Sequence, residues 1–284
     1  PLIIDVWLNS LAIERLEEKT IHIAKLLEQR KNNWEEVFFI IVARAFGFGL
    51  NAMPFEMMAR TLPYHALARM RENPLQVEAI IMGQAGFLED PLLFNPYYAT
   101  LRNEYIFFKK KLQLKPIEQH LWKFLRLRPV NFPTIRLAQF AAMICKSESL
   151  FSKVINTQNH TSLIALFNVS ASSFWDTHYT FDTPSRPKPK QTGTDALNSI
   201  IINAVIPFLF IYGKMVSNDE LKERAVDLLN ELPPENNHMV RRWKQNGVNA
   251  ISAFHSQGII QMVNNYCNKK RCLACSIGSM VIRW

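Results

Sequence analysis

Apolar residues recur along this chain at helical spacing, and no stretch alternates polar and apolar positions as a strand does. Between residues 10 and 30, Leu11, Leu16, Ile23 and Leu27 form one stripe with charged residues on the opposite face. Residues 34–46 are apolar almost all round, which predicts a buried central helix. The same spacing predicts helices at 55–62, 64–71, 75–85, 96–114, 118–127, 132–146, 149–156, 162–168, 219–232, 234–245 and 249–266.

Asparagine and proline mark the starts of several of these segments. Asn73-Pro74 and Asn95-Pro96 each precede a helical pattern, and Pro54 follows shortly after Asn51. Asparagine is a favourable N-cap, and proline fits the first turn of a helix. The chain is therefore predicted to be all-α, a multi-helix globular bundle of about a dozen helices.

The most apolar run, residues 195–216, raises the question of a membrane span. It is interrupted by Asn203 and Pro207, and a span needs about 20 apolar residues. We therefore expect a buried, proline-kinked core helix and no transmembrane segment.

One segment, residues 169–194, breaks the helical pattern. Pro184, Pro187 and Pro189 alternate with basic residues there and can continue neither a helix nor a central strand. We expect a long proline-rich basic loop. The whole chain is predicted to be a single domain, 1–284, in which this loop can join subdomains 1–168 and 195–284.

Composition adds information about partners and compartment. The formal net charge of +9 favours polyanionic partners, which are nucleic acid, an anionic membrane surface or an acidic protein. The low content of 9 Gly in 284 residues argues against glycine-rich phosphate loops. Four cysteines and the lack of a recognisable signal peptide lead us to expect a reducing cytoplasm.

Basic and aromatic residues interleave between Trp122 and Pro133. Lys123, Arg126 and Arg128 lie in this run, and Arg136 follows one helical turn later. A second basic patch includes Arg241 and Arg242. Arginine among aromatics can bind phosphates and stack on bases, so these six residues are candidates for nucleic-acid binding. The alternative is a solvated basic face. Arg186, Lys188 and Lys190 are expected to form a further, flexible basic tract.

Three cysteines, Cys267, Cys272 and Cys275, lie close together near the C-terminus. The two-residue spacer between Cys272 and Cys275 allows both thiolates to bind one metal, which makes the three a candidate site for zinc or an iron–sulfur cluster. A fourth ligand is required, and Cys145, His238 and His255 are available. The alternatives are inert packing, and a redox-active Cys272/Cys275 pair favoured by the neighbouring basic residues.

Asp176 and His178 are a candidate pair for acid–base catalysis. No nucleophile with a supporting oxyanion loop accompanies them. A histidine that anchors a loop is the alternative interpretation.

Several short motifs carry a resemblance to a known family. They are Gly49-Leu50-Asn51 with Pro54-Phe55-Glu56, Gly83-Gln84-Ala85-Gly86-Phe87-Leu88, Arg126-Leu127-Arg128-Pro129 with Asn131-Phe132-Pro133 and Arg136-Leu137-Ala138-Gln139, and the cysteine-rich run. Together they resemble a bacterial family of unknown function. The resemblance implies that full-length members carry an additional N-terminal, nuclease-like region that would precede Pro1. It transfers no activity and no functional residue.

Three functions are consistent with these features. The first is a non-catalytic helical binding or accessory domain associated with nucleic acid. The second is a metal-binding protein that uses the C-terminal cysteines. The third is a small-molecule enzyme with Asp176 and His178 as an acid–base pair.

Overall fold

The computed structural model describes residues 2–90 and 94–282. The chain divides into two compact units. Unit 1 contains residues 1–32, 158–160 and 201–284, and unit 2 contains residues 33–157 and 161–200.

The all-α prediction is confirmed, because helices dominate the described residues and extended pairing there is limited to isolated bridges. The α-helices are α1 (Leu2–Gln29), α2 (Trp34–Phe46), α3 (Ala52–Thr61), α4 (Tyr64–Met70), α5 (Pro74–Gln84), α6 (Pro96–Lys111), α7 (Pro133–Lys146), α8 (Leu150–Asn156), α9 (His160–Phe167), α10 (Thr194–Ile200), α11 (Ile206–Met215), α12 (Asp219–Glu231), α13 (His238–Gln245), α14 (Ala253–Gln261) and α15 (Ser276–Ile282).

Local capping explains why several of these helices begin where they do. The side chain of Asn95 accepts hydrogen bonds from the backbone N–H groups of Tyr97 and Tyr98, and Pro96 takes the first helical position. Asn73 caps α5 in the same way through Gln76 N–H. The predicted asparagine–proline starts are therefore confirmed at α5 and α6.

In unit 1, α1 packs along α14. Leu8 and Leu11 of α1 form an apolar cluster with Ile259 and Ile260 of α14, and Val240 of α13 joins them. Two π-helical turns, Ile201–Val205 and Met262–Cys267, interrupt the helical segments of this unit. The helix predicted at 249–266 is therefore divided into α14 and a π-helical turn.

In unit 2, α2 is the central helix, as its apolar circumference predicts. Val37, Phe38, Ile40 and Val42 have almost no exposed surface. Helices α3 and α7 pack against α2, and α5 packs between α6 and α7. Phe140 of α7 contacts the rings of several α2 and α3 aromatics, so these three helices share one aromatic core.

The helix predicted at 118–127 is wrong. The structure has only a single 3₁₀ turn at Gln119–Leu121. Tertiary hydrogen bonds hold this segment instead, because the backbone N–H of Ile117 donates to Gln84 O and the indole N–H of Trp122 donates to Ala85 O. Arg126 then takes a left-handed φ of 66°, which a continuous helix does not allow.

The proline-rich loop at 169–194 is present, but the chain does not divide there. The whole loop belongs to unit 2, and the boundaries lie near residues 32, 157–161 and 200. Backbone hydrogen bonds from Ala171 to Lys190 and from Thr192 to Val169 hold the two ends of the loop together. The loop therefore closes on itself within unit 2 and does not join the predicted subdomains 1–168 and 195–284.

The apolar run predicted as a core helix forms the helical segment Thr194–Met215. By length and composition it could cross a membrane, yet most of its residues are buried inside the structure. Pro207 lies immediately after the π-helical turn, where the regular hydrogen-bond pattern is already interrupted. Burial of most of its residues is typical of a core helix.

Candidate anion-binding site

A cavity of about 640 Å³ lies in unit 2, and we call it the unit 2 cavity. Its walls come from residues within 46–55, 127–139 and 188–196. These are the end of α2 with the turn after it, the segment leading into α7 with the first turns of that helix, and the end of the proline-rich loop. Three segments that are distant in the sequence therefore share one concave surface.

The turn between α2 and α3 has an unusual backbone. Phe48 has a left-handed φ of 45°, and Gly49 follows with a φ of 77°. Gly47 lies so close to Asn51 that an added Cβ would be 2.4 Å from its carbonyl atoms. The absence of a side chain at Gly47 thus allows the tight turn that positions Phe48 and Asn51 at the cavity.

Asn51 joins this turn to the basic segment after Trp122. Its side-chain amide donates to Lys123 O at 2.9 Å, and its Oδ1 accepts from Lys123 N–H at 2.8 Å. Asn51 precedes α3 but makes no capping bond there. The Asn51 side chain instead bonds to both the N–H and the C=O of Lys123, as the backbone of a neighbouring strand would. These two bonds fix the segment that carries Lys123, Arg126 and Arg128.

We expect Asn51→Ala to loosen this basic segment. Losing two hydrogen bonds of a buried amide costs about 1–3 kcal/mol, so the segment should open more often. Trypsin should then cleave after Lys123 and Arg126 about tenfold faster than in the wild type. Asn73→Ala is the control, because that side chain caps an exposed helix start and does not touch this segment. Equal cleavage rates in wild type and Asn51→Ala would contradict this role.

Arg136 is a buried cation of the cavity wall, with 7% of its surface exposed. Its Nη1 donates to Gln139 Oε1 at 2.8 Å, and its Nη2 donates to Asn131 Oδ1 at 2.6 Å. The guanidinium carbon lies 4.4 Å from the ring centre of Phe48. Both hydrogen-bond partners are neutral amides, and the buried Nε–H has no partner.

Burial lowers the pKa of the Arg136 guanidinium to about 10. This value is still far above neutral pH, so the side chain remains charged. A pKa lowered to about 10 corresponds to roughly 3 kcal/mol of destabilisation by desolvation. Arg136 is therefore a buried charge whose cost no carboxylate offsets, and an anion entering the cavity would offset it.

Lys190 is a second buried cation of the wall, with 3% of its surface exposed. Its Nζ donates to Asp176 O and Lys188 O, and it lies 4.2 Å from the ring centre of Tyr179. Gln139 donates to Lys190 O, which ties the end of the loop to α7. The expected flexible basic tract is therefore wrong at Lys190, which is buried and bound.

Charge on the cavity wall is predominantly positive. Arg128 and Lys188 are exposed lining residues, so they join Arg136 and Lys190 to make four cations. Asp195 is the one acidic residue among the described lining residues, and it is exposed. The net charge of the lining is about +3, which is suited to an anionic ligand.

Two other partly buried arginines of unit 2 have a carboxylate partner, and two cations of unit 1 are linked to a carboxylate through a glutamine. In unit 2, Arg44 and Arg60 both bind the buried Glu56, at 2.7 and 2.5 Å. In unit 1, Arg15 and Lys19 donate to Gln257 Oε1, and Gln257 in turn donates to Glu235. A carboxylate therefore lies at or near each of these sites, whereas the hydrogen-bond partners of Arg136 and Lys190 are amide and backbone oxygens.

Burial also lowers the pKa of Lys19 in unit 1. Desolvation and the nearby Arg15 lower the pKa of Lys19 to about 7, and Glu235 acts in the opposite direction. Three oxygens, from Ile202, Asn203 and Gln257, accept its hydrogen bonds. Three acceptors match the three N–H groups of an ammonium, so this network favours the charged form.

Four of the six residues predicted to bind nucleic acid belong to unit 2 and two belong to unit 1. Arg128 and Arg136 line the unit 2 cavity, and Lys123 and Arg126 are exposed on the segment held by Asn51. Arg241 and Arg242 belong to α13 of unit 1. Arg242 lies beside another cavity, of about 720 Å³, together with His238 and Cys267.

The C-terminal cysteines do not form a metal-ligand set in this structure. Among residues 2–90 and 94–282, no group of three or more His, Cys, Asp or Glu is placed to hold a metal ion. Cys267 and Cys272 are exposed, and Cys275 is buried. Burial and the two neighbouring thiols raise the pKa of Cys267, which disfavours its thiolate. Zinc or iron–sulfur binding here remains a prediction without geometric support.

Asp176 and His178 do not look like a catalytic pair. His178 Nδ1 contacts Thr177 Oγ1 and Phe174 O, and the imidazole stacks on Phe174 at 4.2 Å between ring centres. The backbone carbonyl of Asp176 accepts from Lys188 N–H and Lys190 Nζ. Neither residue lines the unit 2 cavity. The contacts match the alternative interpretation, in which His178 anchors a loop.

Several contributors to the cavity carried no site signal in the sequence. Phe48 appears as an ordinary aromatic after a helix, and Lys190 appears as one cation of a solvated tract. Asn51, Asn131 and Gln139 occur in the motifs of the family resemblance, and Asn131 also lies in the run of basic and aromatic residues. Their convergence on one cavity is a property of the fold.

Comparison with known proteins identifies one family. Its model, described as a protein of unknown function (DUF2851), matches residues 1–238. No curated protein and no solved structure matches the chain. The match includes the whole of unit 2 and ends before the C-terminal cysteines.

Proposed function

The chain belongs to the DUF2851 family of proteins of unknown function, and from that premise we propose that unit 2 is a module that binds a phosphate group of nucleic acid in the unit 2 cavity. The observation that carries the proposal is Arg136, which is buried in the wall, charged, unpaired with any carboxylate and left with a free Nε–H. The guanidinium of an arginine forms strong, charge-assisted hydrogen bonds to phosphate oxygens.

A phosphate suits this site better than a carboxylate does. The two buried cations and the two exposed ones give the lining more positive charge than a single carboxylate would neutralise. The guanidinium uses two of its five N–H groups on Gln139 and Asn131, so the other N–H groups of Nη1 and Nη2 can donate to ligand oxygens. A phosphate group presents several acceptor oxygens at the spacing of the guanidinium fork.

Nucleic acid as the source of the phosphate is supported by charge outside the cavity. Lys123 and Arg126 are exposed on the segment that leads into the wall at Leu127 and Arg128. The chain as a whole carries +9. A polyanion can therefore place one phosphate in the cavity and others along this exposed basic segment.

A salt titration of binding to single-stranded DNA and RNA tests the proposal. We expect measurable binding at low salt, with an affinity that falls as salt rises, because each phosphate contact releases counterions. Lys188→Gln should reduce the slope of log K against log salt by about 0.7, the value for one phosphate contact on a single strand. Arg186→Gln is the matched control, since Arg186 is exposed two residues away and does not line the cavity. Absence of binding to both nucleic acids at low salt would refute the proposal.

A further inference from the structure

We infer that the unit 2 cavity recognises a terminal phosphate monoester of a nucleotide, and not the phosphodiester inside a strand. The inference rests on the proposed function and specifies its ligand. Size, charge and the chemistry of the wall each support it.

Size excludes a double helix from the interior. A cavity of about 640 Å³ is in the range of sites for small molecules and cofactors. A duplex is instead recognised by elements that enter its grooves, the wider of which is about 12 Å across. Only one nucleotide or the end of a single strand can enter a concave space of this size.

Charge favours a monoester over a diester. A phosphate monoester carries about −1.5 to −2 at neutral pH, and a diester inside a strand carries −1. Arg136 and Lys190 are both buried in the wall without a carboxylate partner. A dianion offsets more of the net charge of about +3 on the lining than a diester does.

The apolar residues of the wall and Asp195 suit the base and the sugar of a nucleotide. Phe46, Phe55, Leu127 and Ile135 contribute apolar surface. Asp195 contributes an exposed carboxylate, which can accept hydrogen bonds from sugar hydroxyl or base amino groups. The ligand is therefore larger than inorganic phosphate, with an anionic end and a body that is partly apolar.

The exposed basic segment outside the cavity can bind the rest of a strand whose terminal phosphate occupies the cavity. Arg128 lies at the wall, Arg126 is two residues before it, and Lys123 is held in place by Asn51. Their exposed side chains can contact the phosphates that follow the terminal one. A free mononucleotide would occupy the cavity without using Lys123 or Arg126.

The inference is tested with short single strands of one sequence that carry a 5′-phosphate, a 3′-phosphate or no terminal phosphate. We expect a phosphorylated strand to bind at least tenfold tighter than the unphosphorylated one at physiological salt. This preference should vanish in Arg136→Gln. It should persist in Arg102→Gln, because Arg102 also has a buried Nε–H without a partner but does not line the cavity.

A nucleoside monophosphate is the competitor that separates the two sources of a terminal phosphate, and the corresponding nucleoside is its control. The monophosphate should displace the phosphorylated strand, and the nucleoside should not. Arg126→Gln should weaken the strand about threefold or more and leave the monophosphate unaffected, because only the strand extends over the exposed segment.

The outcomes distinguish this inference from the proposed function. Equal, Arg136-dependent binding of phosphorylated and unphosphorylated strands would overturn the inference and support the proposed function. Binding of the monophosphate alone, with no strand bound, would support the terminal monoester and overturn nucleic acid as the ligand. If no strand and no monophosphate binds, both are refuted.

Discussion

Replacing Arg136 by Gln is expected to weaken phosphate binding by about 30-fold or more. Truncating one partner of a buried charge pair typically costs 2–5 kcal/mol, because the other charge loses its hydrogen bonds and its counter-charge. Arg136→Lys should give a smaller loss, since it keeps the charge but not the planar fork that binds two oxygens. Isothermal titration with a nucleoside monophosphate measures all three proteins.

The same substitution should not unfold the protein. Removing the charge recovers the roughly 3 kcal/mol that its burial costs, while the bonds to Gln139 and Asn131 are lost at a comparable cost. The free energy of unfolding should therefore change by less than about 2 kcal/mol. Arg102→Gln is the control for binding and stability. Undiminished phosphate affinity in Arg136→Gln would show that the cavity is not the binding site.

Gly47→Ala should destabilise unit 2 and weaken binding together. The new Cβ would lie 2.4 Å from Asn51 C and O and from Ala52 N, and backbone atoms cannot move away as a side-chain end can. Forcing extra volume into packed structure costs about 1–3 kcal/mol or more. The melting temperature should fall by about 4–10 °C, and affinity should fall because Phe48 and Asn51 lose their positions.

Gly193→Ala is the matched control for this prediction. Gly193 also lines the cavity, but a Cβ there meets no atom within 4 Å. The melting temperature of Gly193→Ala should equal that of the wild type or rise slightly, because alanine restricts the unfolded chain. Thermal unfolding by circular dichroism measures both variants. A Gly47→Ala protein as stable as Gly193→Ala would contradict the tight turn described here.

The sequence predicted most of the helices because the signals are local. In α6, Asn95 and Pro96 set the start within one turn, and the apolar spacing of the following residues sets the buried face. The circumference of α2 was apolar, and the helix is indeed central. Periodicity and capping act over a few residues, so the residues within and next to a helix are enough to predict it.

Local patterns failed where distant parts of the chain compete with them. Residues 118–127 have helical spacing, yet Trp122 donates to Ala85 O and Ile117 donates to Gln84 O. The proline-rich loop looked like a boundary between subdomains, yet its two ends bond to each other within unit 2. A hydrogen bond to a residue far along the chain leaves no trace in the spacing of nearby side chains.

The candidate site, too, was predictable from the sequence only in part. The sequence by itself determined an all-α, basic chain and identified Arg128 and Arg136 as candidate phosphate ligands, because residue type and charge are read directly. Only the tertiary structure decided that Arg136 and Lys190 are buried without a carboxylate and that Phe48 lies under the guanidinium. Burial and pairing depend on which segments pack together, and residues 48, 136 and 190 meet only in the folded chain.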